Sequence, residues 1–280
     1  MNILTFDIEE WFHCDFITKD QQWDKFEVRI HEGTDRILDS MQKYNKKGTF
    51  FILGWIAKEY PEVVRKIKEQ GHEIGCHSMW HELVHRFNKE QFYDDTKEAL
   101  DYIEQAIGEK VNLYRAPAFS ITEQTPWAIE TLIELGFEFD ASIFPAVHDY
   151  GGFPNFGVPE PSILVCNGMR LKEFPMNIQK VMGKNVVFSG GGFFRLFPYT
   201  LIKHWTKKSD YVMTYFHPRD FDADQPVLEH LPWNRKFKSY VGLKTCHKKF
   251  ENFLTDFDGM SIAEADKLID WSKVNVIKIK

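Results

Sequence analysis

Hydrophobic and polar positions along this chain alternate between two patterns. Short apolar runs predict buried strands, and the stretches between most of them place apolar residues at helical spacing. The section 145–170 is rich in Gly and Pro and predicts an extended excursion over the surface. Strands are predicted at 2–8, 49–53, 73–76, 113–119, 137–142, 171–176, 185–189 and 211–216. Helices are predicted at 34–44, 61–70, 89–107, 125–135, 199–207, 237–256 and 261–269.

This alternation favours one fold class. Strands and helices alternate about seven times, and nearly every predicted strand ends in Asp, Glu, His or Arg. The pattern is typical of an α/β fold, a (β/α) barrel with its chemistry at the carboxyl ends of the strands. An open doubly wound sheet is the alternative, but no Gly-x-Gly-x-x-Gly follows a predicted strand. We expect a single domain over 1–280, with a core at about 3–222 and a C-terminal helical extension at about 223–280.

Composition narrows the classes of function. The chain has 280 residues, 43% of them hydrophobic, so it can bury a large core. Its net charge of −6 and lack of a basic stripe argue against nucleic acid as a partner. We find no apolar run of membrane-spanning length and no secretory signal, and therefore expect a cytoplasmic location. The widely spaced cysteines predict reduced thiols rather than disulfides or a structural zinc site: Cys14, Cys76, Cys166 and Cys246.

A histidine pair is the first candidate for chemistry. His77 and His81 follow the predicted strand 73–76, and two imidazoles at this spacing can bind one Zn²⁺ or a related cation. Two core or surface histidines would give the same pattern. A catalytic metal site also needs a carboxylate, which Glu9 or Glu10 could supply from the end of the first strand.

The remaining strand ends offer a base and an acid. Asp7 lies two residues before Glu9, on the same side of an extended strand, and could accept a proton from activated water. Arg115 could pair with Asp7 and keep it ionised. His217 could protonate a leaving nitrogen while Asp140 orients its ring. Each residue could instead be a helix cap, a surface charge or a strand end. Their common position at strand ends favours catalysis.

These residues fall in segments that resemble the NodB-homology polysaccharide deacetylases, metal-dependent enzymes that remove N- or O-acetyl groups from carbohydrates. The resemblance spans about residues 3–222 and keeps the order of the family motifs. The similar segments are Thr5-Phe6-Asp7, His77-Ser78-Met79-Trp80-His81, Arg115-Ala116-Pro117-Ala118-Phe119, Asp140-Ala141-Ser142 and Tyr215-Phe216-His217.

The resemblance implies a distorted (β/α) barrel of about seven strands, NodB-like, and a role for each matching residue. By position in the motifs, it implies a base, two metal ligands, a base orienter and an acid: Asp7, His77 and His81, Arg115, and His217.

The first motif departs from the usual family pattern. The family commonly has a second acid directly after the base, and Ile8 occupies that position here. Some relatives place the metal carboxylate two residues after the base, which favours Glu9 over Glu10. The segment 6–12, together with 191–195 and His217-Pro218, resembles the branch associated with bacterial exopolysaccharide synthesis loci.

We therefore predict a hydrolase of linear amides that uses a divalent metal, Zn²⁺ by preference, to deacetylate an N-acetylated sugar or polysaccharide intermediate. A metal-dependent hydrolase of small amides or cyclic imides is one alternative. A non-catalytic carbohydrate-binding relative is another. The run Gly190–Gly192 lacks the lysine of a P-loop, so we expect it to let backbone pass close to a ligand or neighbour. Residues predicted to contact the substrate are Trp11, Trp80, Pro117 and Phe119.

Overall fold

The computed structural model of the chain describes residues 1–13, 22–147, 150–181, 183–229 and 231–279. Its strands are β1 (Asn2–Ile3), β2 (Thr5–Ile8), β3 (Thr49–Ile52), β4 (Glu73–Cys76), β5 (Leu113–Tyr114), β6 (Phe139–Asp140), β7 (Ser162–Cys166), β8 (Met169–Glu173), β9 (Gln179–Val181), β10 (Lys184–Val186), β11 (Val212–Met213) and β12 (Asn275–Lys278). Its α-helices are α1 (Ile30–Lys43), α2 (Gly54–Glu59), α3 (Pro61–Glu69), α4 (Lys89–Ile107), α5 (Pro126–Glu134), α6 (Gly191–Leu196), α7 (Tyr199–Lys208), α8 (Trp233–Tyr240), α9 (Leu243–Asp256) and α10 (Ile262–Asp266).

A mostly parallel sheet forms the centre of the molecule. Its strand order is β12-β7-β8-β6-β5-β4-β3-β2, and the strands from β2 to β6 are parallel neighbours in chain order. Beyond β2, the parallel pair of β1 and β11 and single bridges from Phe6 to Phe216 and from Gly190 to Tyr215 extend the curve. The carboxyl ends of the parallel strands therefore lie at one rim, and the predicted α/β barrel class is confirmed.

Side chains rather than a continuous ladder connect the two ends of this curved sheet. The Asn177 side-chain oxygen accepts hydrogen bonds from the Met213 backbone N–H at 2.9 Å and from the Ser189 hydroxyl at 3.0 Å. The Tyr211 hydroxyl donates to the Pro175 carbonyl at 2.8 Å. These contacts bring the segment after β8 against β11, and the barrel is distorted because no described ladder closes it here.

Local signals explain why some elements were predictable. The helix α4 begins with a reciprocal capping box between Asn88 and Gln91 and ends at Gly108, whose φ of +71° suits the left-handed region. Its buried face repeats at helical spacing and includes Phe92 and Ile103. The structure confirms the predicted helix at 89–107 residue for residue.

Two predictions in the second half of the chain were wrong. The section 145–170, expected to be an extended excursion over the surface, contains the mostly buried strand β7 and the start of β8, because the apolar run at 162–166 pairs along a long register with 169–173. The helix expected at 237–256 is divided into α8 and α9. Its break is at Gly242, where φ is +71° and an added Cβ would overlap the Arg195 carbonyl.

The C-terminal region also contains a strand that was not predicted. β12 pairs in parallel with β7 at the edge of the main sheet. Cys76, Cys166 and Cys246 are free and buried, whereas Cys14 lies outside the described residues. Among the described helices, none has the length and apolar character needed to cross a membrane. The single-domain organisation stays a prediction.

Candidate active site

The barrel rim gathers the predicted site residues at the carboxyl ends of neighbouring strands. Asp7 lies in β2 and Glu9 follows that strand directly, whereas His77 follows β4 and Arg115 follows β5. Asp7, Glu9, His77 and Arg115 are all buried. The ladders between β2, β3, β4 and β5 fix the positions from which these side chains extend. The sheet therefore brings together residues that are more than a hundred positions apart in the sequence.

Three of these side chains provide a metal-binding donor set. One donor atom from each of Glu9, His77 and His81 lies within 4.8 Å of the others. Glu9 Oε2 lies 2.5 Å from His81 Nε2 and 3.9 Å from His77 Nε2. Two imidazoles and one carboxylate are a typical donor set of catalytic zinc sites. The residues present therefore fit a divalent cation.

Hydrogen bonding also prepares His77 for this role. Its Nδ1 lies 2.8 Å from the carbonyl oxygen of Arg115. Because a carbonyl can only accept, Nδ1 carries the hydrogen and the lone pair of Nε2 faces Glu9 and His81. Burial lowers the pKa of His77 to about 4, so the imidazole is neutral, as a metal ligand must be.

The loop that carries the two histidines has an unusual backbone. Ser78 and His81 have φ values of +64° and +54°, a left-handed conformation that is uncommon outside glycine. The loop is held by hydrogen bonds from the His81 N–H to Ser78 Oγ at 3.1 Å and from the Met79 N–H to Asp95 Oδ2 at 3.0 Å. Such strain often persists at functional sites because surrounding contacts fix it.

The choice between Glu9 and Glu10 follows from their contacts. Glu10 Oε1 accepts backbone hydrogen bonds from Arg29 at 2.6 Å and from Ile30 at 2.7 Å, at the start of α1. Burial alone would raise the pKa of Glu9, but the imidazoles of His81, His217 and His77 outweigh it and lower that pKa. Glu9 is therefore the carboxylate available to the histidines.

Asp7 and Arg115 form a buried ion pair beside the donor set. Arg115 Nη1 donates to Asp7 Oδ1 at 2.8 Å and to Thr5 Oγ1 at 2.7 Å, and its Nε donates to the Ala141 carbonyl. The guanidinium also lies 4.1 Å from the centre of the Phe51 ring. These contacts fix the direction of the Asp7 carboxylate, whose second oxygen lies on the side of the cleft facing His217, 3.8 Å from Nε2.

The partner of His217 differs from the predicted one. His217 Nδ1 lies 3.1 Å from Asp220 Oδ2, three residues along the same turn. Burial alone would lower the pKa of His217, but Asp220, Glu9 and Asp7 outweigh it and raise that pKa to about 9. The imidazole is therefore protonated at neutral pH, and its Nε2 lies 4.0 Å from Glu9 Oε1.

Asp140, predicted to orient His217, was wrongly assigned. Its Oδ1 accepts a hydrogen bond from the Ser142 hydroxyl at 2.5 Å, and across the strand register it lies beside Glu173 on β8. Burial raises the pKa of both carboxyl groups. Asp140 lies at the end of β6 rather than on the turn that carries His217. The sequence signal that could have identified the observed partner is the His-x-x-Asp spacing at 217–220.

The residues predicted to contact the substrate are buried or partly buried and pack within the protein. Trp11 and Phe119 are only 4% and 5% exposed, and Pro117 is also buried. The Trp11 indole donates to the Glu27 carbonyl at 2.9 Å. Trp80 is partly buried and packs near Trp23. Since none of the four predicted residues lines the open cleft beside Glu9 and His217, direct substrate contact stays a prediction.

The cleft itself is lined mainly from the second half of the chain. It has a volume of about 670 Å³ and extends from Glu9 and His217 across α6 and α8. Trp233 is 79% exposed and Phe237 is 49% exposed on this surface. No sequence motif had identified Trp233 and Phe237 as part of the site. The aromatic lining of the cleft consists of Phe144, Tyr150, Phe193, Tyr215, Trp233 and Phe237.

Comparison with known protein families divides the chain into two parts. Residues 4–139 match the polysaccharide deacetylase family, and residues 141–267 match a domain of unknown function, DUF3473. The two matches meet at the end of β6, in the middle of the sheet. The proposed metal donors lie in the first part, and His217 lies in the second.

One protein and two solved structures that this chain resembles are named as deacetylases or as a CE4 family pseudoenzyme. A peptidoglycan-N-acetylglucosamine deacetylase of Bacillus cereus is 32% identical over 100 residues, which are 35% of this chain and 36% of that protein. The crystal structure of a candidate polysaccharide deacetylase from Mycobacterium smegmatis has a TM-score of 0.67 at 18% identity, covering 100% of this chain and 93% of that one. A CE4 family pseudoenzyme from Bacillus anthracis has a TM-score of 0.51 at 14% identity, covering 99% and 69% of the two chains. The two structures show similarity of fold alone.

Proposed function

Because residues 4–139 match the polysaccharide deacetylase family, we propose that this protein is a metal-dependent hydrolase that removes the acetyl group from an N-acetylated sugar. One observation carries the proposal. A His/His/Glu donor set, a carboxylate paired with arginine and a protonated imidazole lie together beside an open cleft that Glu9 and His217 line. These are the parts that hydrolysis of an amide requires.

The proposed ion is Zn²⁺, held by Glu9, His77 and His81. When bound, such an ion polarises a carbonyl group and lowers the pKa of water to about 7. Around it, the chain's own groups have separate tasks. Arg115 holds one oxygen of Asp7, and the other oxygen can accept a proton from the attacking water.

His217 completes the proposed reaction on the other side. As the acetyl C–N bond breaks, His217 Nε2–H gives its proton to the departing nitrogen, and the products are acetate and a free amine. An amine is a poor leaving group without this proton. His217, whose pKa is raised to about 9 against the effect of burial, can supply this proton. The exposed aromatic lining of the cleft supports a sugar as the substrate, because flat apolar rings can pack against pyranose faces.

The alternatives receive less support from the same residues. The pseudoenzyme from Bacillus anthracis illustrates that this fold also occurs without activity. Here, however, Asp7, Arg115 and His217 are all present beside the donor set. A hydrolase of small amides or cyclic imides would not require an open cleft of about 670 Å³. A cytoplasmic location and a biosynthetic polysaccharide intermediate remain part of our proposal.

The direct test measures acetate release by purified protein loaded with Zn²⁺. We would compare N-acetylated chitooligosaccharides and peptidoglycan with acetamide, a cyclic imide and O-acetylated xylan. Release from the amino sugars, removed by a chelator and restored by Zn²⁺, is the expected result. Hydrolysis of the small amides or imide alone would contradict the proposed substrate class, and no hydrolysis by metal-loaded protein would favour a binding protein.

A further inference from the structure

The second part of the chain contributes more than His217 to the proposed reaction. We propose that Asp220 and Arg195 are positioning residues: Asp220 fixes the ring of His217, and Arg195 fixes Asp220 against the end of α8. This inference rests on the proposed function, because it assigns the two residues to support of the acid. It also gives a task to the region 141–267, whose family has no assigned function.

Asp220 contacts His217 at two points. Asp220 Oδ2 accepts a hydrogen bond from the His217 backbone N–H at 2.9 Å and lies 3.1 Å from the ring nitrogen Nδ1. Because a carboxylate accepts, Nδ1–H points to Asp220 and Nε2 is left to face Asp7 and Glu9. A ring flip would exchange the two nitrogens and break this contact. Asp220 therefore determines which ring nitrogen of His217 faces the cleft.

Arg195 forms a buried ion pair with the other oxygen of this carboxylate. Its Nε lies 2.9 Å from Asp220 Oδ1, and both side chains are buried. The rest of the guanidinium donates to the carbonyls of Ser239 at 2.8 Å, Val241 at 3.1 Å and Lys238 at 3.2 Å. A planar group with several fixed donors suits this arrangement better than a flexible ammonium would. The cation is therefore anchored on two sides, with Asp220 on one and the end of α8 on the other.

The two oxygens of the Asp220 carboxylate have different partners. Arg195 occupies Oδ1 and the His217 ring occupies Oδ2, so the two partners do not compete for the same atom. Burial alone would raise the pKa of Asp220, but Arg195 and His217 outweigh it and lower that pKa. Asp220 thus stays ionised between two fixed partners. A buried ion pair that only stabilised the fold would not need to face the ring nitrogen.

The glycine run explains how Arg195 reaches this position. Gly190 bridges to Tyr215, and an added Cβ would overlap the Tyr215 carbonyl oxygen. Gly191 has a φ of +52°, and its N–H donates to the same oxygen at 2.9 Å. The helix α6 therefore begins in direct contact with a residue two positions before His217. Arg195 lies one turn further along α6, where its side chain reaches Asp220.

The first experiment separates proton donation from general damage. In Asp220→Asn, we expect kcat for an N-acetylated chitooligosaccharide to fall about 10²-fold or more, with little change in KM or bound Zn²⁺. Turnover of 4-nitrophenyl acetate should change less than about threefold, since its leaving group needs no proton. Asp220→Glu should recover part of the loss. Equal losses on both substrates would overturn the proposal, as would normal turnover of the amide.

The second experiment tests Arg195 with a matched control. Arg195→Met should lower the ratio of amide to ester turnover in the same direction as Asp220→Asn. Lys249 braces the same segment by donating to the carbonyls of Arg195 at 2.6 Å and Phe197 at 2.8 Å. Lys249→Met should therefore lower the melting temperature without changing the ratio. If the two variants change the ratio equally, or neither changes it, Arg195 has no positioning role.

A spectroscopic measurement keeps this inference separable from the proposed function. Two-bond ¹H–¹⁵N spectra of histidine-labelled protein should show a protonated His217 Nδ1 whose signal changes in Asp220→Asn. If that change occurs but wild-type protein releases no acetate, the deacetylase function fails and the ring contact stands. If acetate is released and the His217 signals are unchanged in the variant, the positioning role is overturned. Should Asp220→Asn not fold, Arg195→Lys provides the same readout.

Discussion

The two sides of the cleft are built in different ways. On the metal side, Glu9 and His77 directly follow β2 and β4, and backbone ladders through β3 fix their spacing. On the acid side, His217 comes four residues after the two-residue strand β11, and backbone hydrogen bonds from Thr214 to Ile3 and from Phe216 to Thr5 continue the pairing toward it. Its ring is directed by Asp220 on the same turn, and Asp220 by Arg195 from α6. The sheet therefore positions the backbone on both sides, and the direction of the His217 ring depends in addition on buried charges.

This difference has a functional consequence. Substitutions on the metal side should change ion binding and reaction together, because the residues proposed to hold the ion lie beside the cleft proposed to bind the substrate. Substitutions that disturb the acid side should leave the ion in place and slow the reaction. Measuring bound metal and turnover in the same samples therefore tests the comparison directly.

The largest effect is expected on the metal side. His77→Ala removes one of three protein ligands, so bound Zn²⁺ and acetate release should both fall to background. Metal analysis and an acetate assay on the same preparation would measure this. His85→Ala, in an exposed histidine eight residues later, is the matched control and should behave as wild type. A His77→Ala protein with normal metal content would remove His77 from the donor set.

The next effect separates the ion from the base. Asp7→Asn preserves the shape of the side chain but cannot accept the proton, so kcat should fall by about 10² to 10⁴ while Zn²⁺ stays bound. Asp39→Asn changes an exposed carboxylate on α1 and provides the control. Unchanged turnover in Asp7→Asn would exclude Asp7 as the base.

The metal side was largely predictable from the sequence. Its residues directly follow strands, and parallel strands bring their carboxyl ends to one rim, so local pattern and fold class together indicated a common site. The sequence left the choice between Glu9 and Glu10 open, and the backbone of α1 decides it by binding Glu10. That contact depends on where α1 begins in space, which no local motif reports.

The acid side was less predictable because its partners come from distant contacts. Asp140 has the right chemistry at a strand end, but its neighbour is Glu173. Arg195 reaches Asp220 only because a glycine run lets α6 begin against Tyr215. The glycines were correctly expected to permit a close approach, yet the sequence did not indicate what lay across from them. The packing of segments that are distant in the sequence therefore determines which residues contact Asp220 and His217.

A substitution in α1, which packs against the turn after His217, should have a moderate effect on stability and turnover. Gly33 on α1 packs against the backbone of the turn after His217, and an added Cβ would overlap the Pro218 carbonyl. We expect Gly33→Ala to lower the free energy of unfolding by about 2–3 kcal/mol, because backbone atoms must move. Bound Zn²⁺ should stay at the wild-type level while amide turnover falls.

Urea unfolding, metal analysis and acetate release would measure these three quantities. Gly108→Ala is a useful control, since Gly108 has a φ of +71° but open space around its Cβ position. It should cost about 1 kcal/mol through backbone conformation without any change in turnover. Loss of metal in Gly33→Ala would contradict the separation of the two sides.

The smallest expected effect concerns the carboxyl pair behind Arg115. Burial, with a further contribution from Asp140, raises the pKa of Glu173 well above its usual value. Above the ordinary pKa of glutamate, the folded protein therefore keeps a proton that the unfolded chain has released. The unfolded state then binds fewer protons, so the free energy of unfolding falls as pH rises, by up to about 1.4 kcal/mol per pH unit.

Glu173→Gln should remove this dependence. The Gln amide is neutral at every pH and can donate to Asp140 as a protonated carboxyl group does, while its oxygen can still accept from the Ile143 N–H, as Glu173 does at 3.1 Å. We expect the variant to gain stability relative to wild type as the pH rises from 5 to 8, with Zn²⁺ content and turnover retained. Urea unfolding at both pH values would measure this, with Glu138→Gln on the exposed face of the same region as the control. An unchanged pH slope in Glu173→Gln would show that Glu173 is ionised in the folded protein, and Arg115 would then neutralise a second carboxylate besides Asp7.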